Sequence, residues 1–414
     1  MQTSSDTNNK VSVQTLAELG PLPMKVALGC SVLLPVAFVL GFLMDNGTEL
    51  FAFSYLQSTF FFLSISLGAL FFVLIQQLTR AGWSVVLRRI SEFISMGVIP
   101  LAVLVLPIVL VTLSGSDVLY QWASSKNVAG DHLLQAKAPY LNSGFFALRY
   151  VIYFGSWIFL ARFFLNKSVA QDENGDPELT LLMERRSGPA ILLYAFTISF
   201  AAIDFIMSLD AHWFSTIFGV YYFAAGLVGF FSTLAITLIY LRSKGLLQEP
   251  INVEHLHDVG KLLFAFNCFW AYIAISQYLL IWYANIPEET VFFLHRQEHG
   301  WGIISLTLVI GHFAIPFVFF MSRWMKRNPK TLFFWAAYLL VMNWIDIFWL
   351  VMPNVKSGSG ESLGVSFAMI LINICCTVGV GGIYVAGLLK FAGEKSVMPV
   401  RDPRLEESLK FHNI

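Results

Sequence analysis

The sequence predicts an all-α integral membrane protein, and three observations carry that prediction. Of the 414 residues 57% are apolar and 13% charged, against about 45–50% and about 25% in a soluble globular chain. Ten apolar stretches each reach the roughly 20 residues a helix needs to cross the hydrocarbon core. The basic residues between those stretches then sort onto alternate sides, as they do across a cytoplasmic membrane.

Residues 1–23 are polar and lack the short apolar run and small-residue cleavage site of a signal peptide. They are expected to remain as a cytoplasmic N-terminal segment. The ten helices are then expected over about 24–44, 53–78, 90–113, 143–165, 187–209, 213–241, 260–285, 301–321, 331–351 and 365–390, with a cytoplasmic tail over 391–414. Of the 26 Lys and Arg residues, 21 fall on the N-terminal side of this arrangement. Only Lys126, Lys137, Arg296 and Lys356 fall on the other, and Arg149 is the one cation well inside a span on the outer side, since Lys25, Arg162, Lys261 and Lys390 sit within about four residues of the inner ends of theirs. That asymmetry places both termini in the cytoplasm. The largest external loop, about 114–142, is too short for a cofactor-binding domain, so soluble chemistry belongs to partners.

Helices two and six carry Gln57-Ser58-Thr59-Phe60-Phe61 and Phe214-Ser215-Thr216-Ile217-Phe218 near their outer ends. Helices five and nine carry Ile203-Asp204 and Ile345-Asp346. Echoes four helices apart preserve orientation, which suggests a parallel repeat of two four-helix bundles, helices 2–5 and 6–9. Helices 1 and 10 flank them.

An ionised side chain at the bilayer centre costs at least about 2.5–3.5 kcal/mol, so each embedded one needs a partner or a task. Asp204 and Asp346 are expected roughly 8 Å, and Arg149 roughly 9 Å, below the outer boundary at about 1.5 Å per residue. One reading makes them the outer end of a proton pathway, with Asp210 and His212 at its exit. The other is an Arg–Asp pair that locks helices together. His312, near the midplane, suits a proton relay, or else is a neutral side chain bonded to a neighbouring helix. On the inner side His255, His257, Asp258 and Lys261 cluster where helix seven begins, Asn267 and Gln277 follow along it, and Glu92 begins helix three. Inner cluster, His312 and outer aspartates would form a path if those faces converge.

Equal numbers of acidic and basic residues, 26 each, give no basic excess for nucleic-acid binding. Cys30, Cys268, Cys375 and Cys376 lie in apolar stretches without metal-ligand spacing, and His255 and His257, two residues apart, point to different helix faces. Only His312 lies deep enough to ligate a transmembrane haem, which leaves no second axial histidine on this chain. Pro35, Pro100, Pro107 and Pro316 interrupt spans, and Gly379, Gly381 and Gly382 loosen the tenth.

Three runs strongly resemble one family. The first is Tyr140-Leu-Asn-Ser-Gly-Phe-Phe-Ala-Leu-Arg149-Tyr-Val-Ile-Tyr153-Phe. The second is Phe200-Ala-Ala-Ile-Asp204-Phe-Ile-Met-Ser-Leu-Asp210-Ala-His212-Trp-Phe-Ser-Thr-Ile-Phe-Gly219. The third begins His255-Leu-His257-Asp258-Val-Gly-Lys261 and continues from Tyr272 through Gln277 and Asn285 to Glu288-Glu289. They are similar to an NrfD-like membrane protein of bacterial alternative complex III, a quinol:cytochrome c oxidoreductase. That protein belongs to the NrfD-like superfamily, which includes the membrane component of polysulfide reductase.

The resemblance implies two four-helix bundles plus extra helices in the bacterial cytoplasmic membrane. It implies as partners a paralogous NrfD-like subunit, an iron–sulfur protein, haem c subunits, small membrane subunits and lipids. Electrons from quinol would pass through iron–sulfur and haem c centres on those partners, none held by this chain and with no catalytic residue evident here. The expected contribution is a proton pathway and a scaffold, the pathway drawn from Asp204, Asp210, His212, Arg149, His312, Asp346, Asn267, His257, Asp258, Lys261 and Glu92. A stand-alone proton-coupled carrier and a purely structural anchor are the alternatives.

Overall fold

The computed structural model describes residues 13–44, 46–356 and 363–412. Among these residues ten helices long and apolar enough to cross a membrane follow one another: α1 Leu22–Leu43, α2 Gly47–Leu78, α3 Val85–Leu113, α4 Ser143–Asn174, α5 Pro177–Leu209, α6 Phe218–Ser243, α7 Val253–Ala284, α8 Trp301–Phe319, α9 Pro329–Asn354 and α10 Phe367–Ala392. These are the ten expected spans in the expected order, so the chain is an all-α integral membrane protein. The end of the molecule carrying the described termini is called the terminal end below, and the opposite end the far end. Lys10 lies outside the described residues.

Where helices outrun the expected spans, capping chemistry explains it. The α4–α5 hairpin runs about nine residues further on each arm than hydropathy suggests, because a polar helix is invisible to an apolar window. It turns over Asn174-Gly175-Asp176-Pro177: Gly175 takes φ +69°, and Asp176 accepts from the Glu178 N–H at 2.9 Å. A left-handed glycine after one helix, then a capping Asp and a Pro in the first turn of the next, is how two helices are joined tightly.

Two bundles of like plan share a central crossing. Helix α2 packs on α3 and α5, α3 on α4, and α4 on α5; likewise α6 packs on α7 and α9, α7 on α8, and α8 on α9. The bundles meet where α2 crosses α6, at Gly68 and Gly226. A Cβ on Gly68 would stand 2.6 Å from the Gly226 carbonyl oxygen, and one on Gly226 would stand 2.8 Å from that of Ser64. Small residues permit such backbone approach inside a membrane, where no hydrophobic force draws helices together. Helices α1 and α10 lie outside this pair: α10 packs on α1, α2 and α3, with Gly379 against Leu34 and Gly382 against Ala27 and Ser31.

Three of the four prolines expected to interrupt spans mark discontinuities, whereas Pro107 lies inside the unbroken helical stretch Val98–Leu113. A proline cannot donate to the carbonyl four residues back. Helix α1 breaks at Val32 ahead of Pro35, and α3 at Met96–Gly97 ahead of Pro100. In α8, Leu308–Ala314 winds as a π-helix immediately before Pro316.

The C-terminal segment folds back across the terminal end. Val397 donates to the Gln14 carbonyl at 2.9 Å, Arg88 pairs with Asp402 at 2.8 Å, Arg404 with Glu184 at 2.7 Å, and the Ser408 hydroxyl donates to the Trp83 carbonyl at 2.7 Å.

Candidate functional site

Each bundle buries one aspartate near its far end: Asp204 five residues before the end of α5 and Asp346 eight before the end of α9, both with no exposed surface. Their surroundings differ. Arg149 of α4 grips Asp204 with two hydrogen bonds, Nε to Oδ2 at 2.6 Å and Nη2 to Oδ1 at 3.1 Å, and Tyr153 one turn further along donates to Oδ2 at 2.6 Å. The guanidinium also donates to the Tyr140 carbonyl at 2.8 Å and lies over the rings of Tyr140 and Phe145, 4.0 and 4.4 Å from their centroids. This is a bidentate, capped ion pair with both charges compensated.

Asp346 pairs with no cation among the described residues. It accepts from two neutral donors, the Tyr221 hydroxyl of α6 and the Trp270 indole N–H of α7, the latter at 3.0 Å. The Trp270 ring stacks on His312 of α8, with centroids 3.7 Å apart. His312 is fully buried, and neither ring nitrogen has a hydrogen-bond partner. Its backbone explains its position. Pro316 cannot satisfy the His312 carbonyl, the π-helix offsets the ring, and Asn267 of α7 donates to the freed carbonyl at 2.9 Å. Tyr338 of α9 donates to the neighbouring Gly311 carbonyl at 2.9 Å. π-turns inside helices recur at functional positions because they re-aim one side chain.

Arg149 is not the lone buried cation. Arg88, Arg89, Arg296 and Lys326 are each at most 5% exposed; hydropathy assigns them to loops because each lies outside the apolar stretches. Arg296, in the segment between α7 and α8, donates to the carbonyls of Phe292, Trp349 and Leu350 at 2.9–3.1 Å and lies 3.5 Å over the Phe292 ring. Burial pushes its guanidinium down to about 9, with Asp210 and Tyr221 pulling upward, which leaves it charged at neutral pH. It crowns the second bundle as Arg149 crowns the first, with one difference. Two of its three donor bonds go to the carbonyl end of α9, where the helix dipole favours a cation, and none goes to Asp346.

The expected residues therefore divide. His312, Asn267 and Asp346 come together through Trp270. Asp204 and Arg149 form a separate unit whose partners all lie in the first bundle, so the expected single path from Asp258 through His312 to both aspartates is split. Glu92 joins neither. It bonds Arg89, which also reaches Asp172 at 2.7 Å, Ser168 and the Ser396 carbonyl, an ionic knot tying α3 to α4 and the C-terminal segment. His257, Asp258 and Lys261 lie in the first turns of α7, with Asp258 and Lys261 paired and His257 Nδ1 buried without a partner. Asp210 accepts from the N–H groups of His212 and Trp213, and His212 Nε2 meets Asp131 at 2.6 Å, pinning the 114–142 loop to the far end. Tyr153, Tyr221, Trp270 and Arg296 were missed, and only Pro316, four residues after His312, signalled that this backbone was special.

A cleft of about 400 Å³ opens between α7 and α8, with Tyr221 and Trp270 on its inner wall and Arg296, Ser305, Phe313 and Trp349 around it. Among the described residues no group of three or more His, Cys, Asp or Glu side chains is placed to hold a metal ion. No family model matches the chain, and no curated protein matches its sequence.

Proposed function

We propose that this chain is an integral membrane subunit of a respiratory quinol:cytochrome c oxidoreductase related to alternative complex III, supplying a proton pathway and a scaffold for redox subunits in the bacterial cytoplasmic membrane. The observation that carries the proton role is Asp346: a buried carboxylate held by two neutral donors and linked through Trp270 to a fully buried histidine with both ring nitrogens free. A carboxylate paired to Arg149 cannot take up a proton without breaking that ion pair, whereas one facing only a phenol and an indole can gain and lose a proton with no ion pair to break. His312 is the second such group. The resemblance of the three sequence runs supports the assignment to the complex, and the paired bundles fit the superfamily plan that the resemblance implies. Quinol oxidation itself belongs to iron–sulfur and haem c centres on partner chains.

The test is made in the assembled complex. The native chain should co-purify with haem c and iron–sulfur polypeptides, and Asp346→Asn should lower proton release per quinol oxidised at least severalfold while the complex still assembles. Unchanged proton release, with quinol oxidation intact, rejects the pathway. Recovery of the native chain only as a cofactor-free monomer that moves a solute with protons favours the carrier instead.

A further inference from the structure

The two bundles differ most at mid-depth. Trp270 on α7 bonds Asp346 on α9, and both helices run from the terminal end to the far end. One turn back along each therefore reaches a common level, occupied by Asn267 and Asn343. Asn343 also faces α6: a Cβ on Gly229 would stand 2.7 Å from its Nδ2, and Ser232 follows Gly229 by one turn on the same face. His312 of α8 is bound to Asn267 through its carbonyl. Each of the four helices thus contributes one polar side chain within about one turn of this level.

All four side chains are at most 1% exposed, and each has an atom without a hydrogen-bond partner: Ser232 Oγ, Asn267 Oδ1, both ring nitrogens of His312 and both amide atoms of Asn343. The first bundle has nothing comparable at this depth. There Trp157 donates to the Thr197 hydroxyl at 2.9 Å, Thr197 donates to the Leu193 carbonyl at 2.7 Å, and Tyr194 donates to the Leu67 carbonyl at 3.0 Å. Its buried side-chain atoms without a hydrogen bond, among the described residues, lie near its ends, on Glu49, Gln76, Arg88, Glu92, Tyr140 and Glu184, the last ion-paired to Arg80 at 3.0 Å.

Leaving a buried polar atom unbonded costs about 1–3 kcal/mol, and buried water characteristically bonds to such groups, making about three hydrogen bonds each. We infer that the second bundle encloses an internal water-binding chamber at mid-depth, lined by Ser232, Asn267, His312 and Asn343, while the first bundle is dry at the same level and serves as the rigid half of the repeat. The inference rests on the proton-pathway reading for its purpose: the waters join His312 to Asn343, one turn from Asp346. Its evidence is the polar layer alone.

The test is cysteine accessibility in membranes, on the full chain with each of its four native cysteines changed to serine. Ser232→Cys and Asn343→Cys should react with a small cationic methanethiosulfonate at least tenfold faster than Thr197→Cys, because the thiolate that reacts forms only where water reaches it. Rates equal to that of the Thr197 variant overturn the chamber. Should these variants fail to assemble, hydroxyl-radical footprinting of the unaltered protein decides: His312 should oxidise well above His255, both having no exposed surface, and equal protection of the two overturns the inference. Labelling at 232 and 343 with normal proton release in Asp346→Asn leaves the chamber and rejects the pathway. Failure of labelling with proton release still dependent on Asp346 rejects only the chamber.

Discussion

Asp204 and Asp346 hold corresponding places in α5 and α9, and only Asp204 is paired to a cation, Arg149, at 2.6 Å. The second bundle has a buried arginine of its own at the far end, but Arg296 spends its donors on backbone carbonyls. One bundle therefore carries a closed ion pair and the other a carboxylate among neutral donors. On the proposed function, that difference makes Asp204 part of a lock and Asp346 the proton-handling group.

If the Arg149–Asp204 pair is a lock, breaking it from one side is costly and removing it whole is not. Asp204→Ala leaves a guanidinium buried without its counter-charge and should destabilise the protein by about 3–5 kcal/mol. Arg149→Leu combined with Asp204→Leu should recover most of that loss. Unfolding in detergent, followed by tryptophan fluorescence, measures both, and a double variant as unstable as the single one would contradict the lock.

Packing predicts opposite effects for a glycine in the α2–α6 crossing and one outside it. Gly68→Ala drives a methyl to within 2.6 Å of the Gly226 carbonyl oxygen and 2.7 Å of Phe230 Cβ, an overpacking worth about 1–3 kcal/mol. Gly155→Ala, on α4 with nothing within 4 Å, should instead stabilise by up to about 1 kcal/mol through helix propensity. Thermal midpoints of the two variants should move in opposite directions.

The Asp131–His212 contact makes the far-end loop sensitive to acid. The hydrogen bond from His212 and those from the Leu133 and Leu134 N–H groups hold the Asp131 carboxyl below its ordinary value. A carboxyl depressed on folding contributes stability above its unfolded value and loses it as pH falls through the folded one. Protease cleavage within 114–142 should therefore rise below about pH 4. In Asp131→Asn it should already be raised at neutral pH and show no further rise attributable to this group. An acid-insensitive loop in the native chain would show that the contact does not hold it.

Arg296→Lys tests whether the fork geometry or only the charge matters at the crown of α9. A single ammonium cannot reach the carbonyls of Phe292, Trp349 and Leu350 together, so the variant should lose about 3 kcal/mol or more at about 1.5–3 kcal/mol per bond to a charged group. Stability equal to that of the native chain would mean that charge alone suffices.

Much of the fold was legible because the bilayer imposes it: a stretch such as 143–165 has to be helical to satisfy its backbone in hydrocarbon, and the next charges mark where it leaves. The polar extensions of α4 and α5 escaped, since capping at Gly175 and Asp176, not hydropathy, sets their ends. In the site, His312, Asp204 and Asp346 stood out as ionisable groups inside spans. Tyr221 and Trp270 did not, because aromatic residues are common in membrane helices and their hydroxyl and N–H carry no signature until a carboxylate faces them. Arg296 escaped because a loop cation is ordinarily solvated, and nothing local says that Phe292 and Trp349 will enclose it.

By itself, then, the sequence determined the solvent, the ten helices, their order and the small set of embedded polar residues, because each follows from the cost of exposing backbone or charge to hydrocarbon. Only the tertiary structure decided which of those residues meet. Arg149 reaches Asp204 and not Asp346, and Asn267 finds the carbonyl that Pro316 leaves free, because such partners lie on different helices and are fixed by the rotation and depth at which those helices pack.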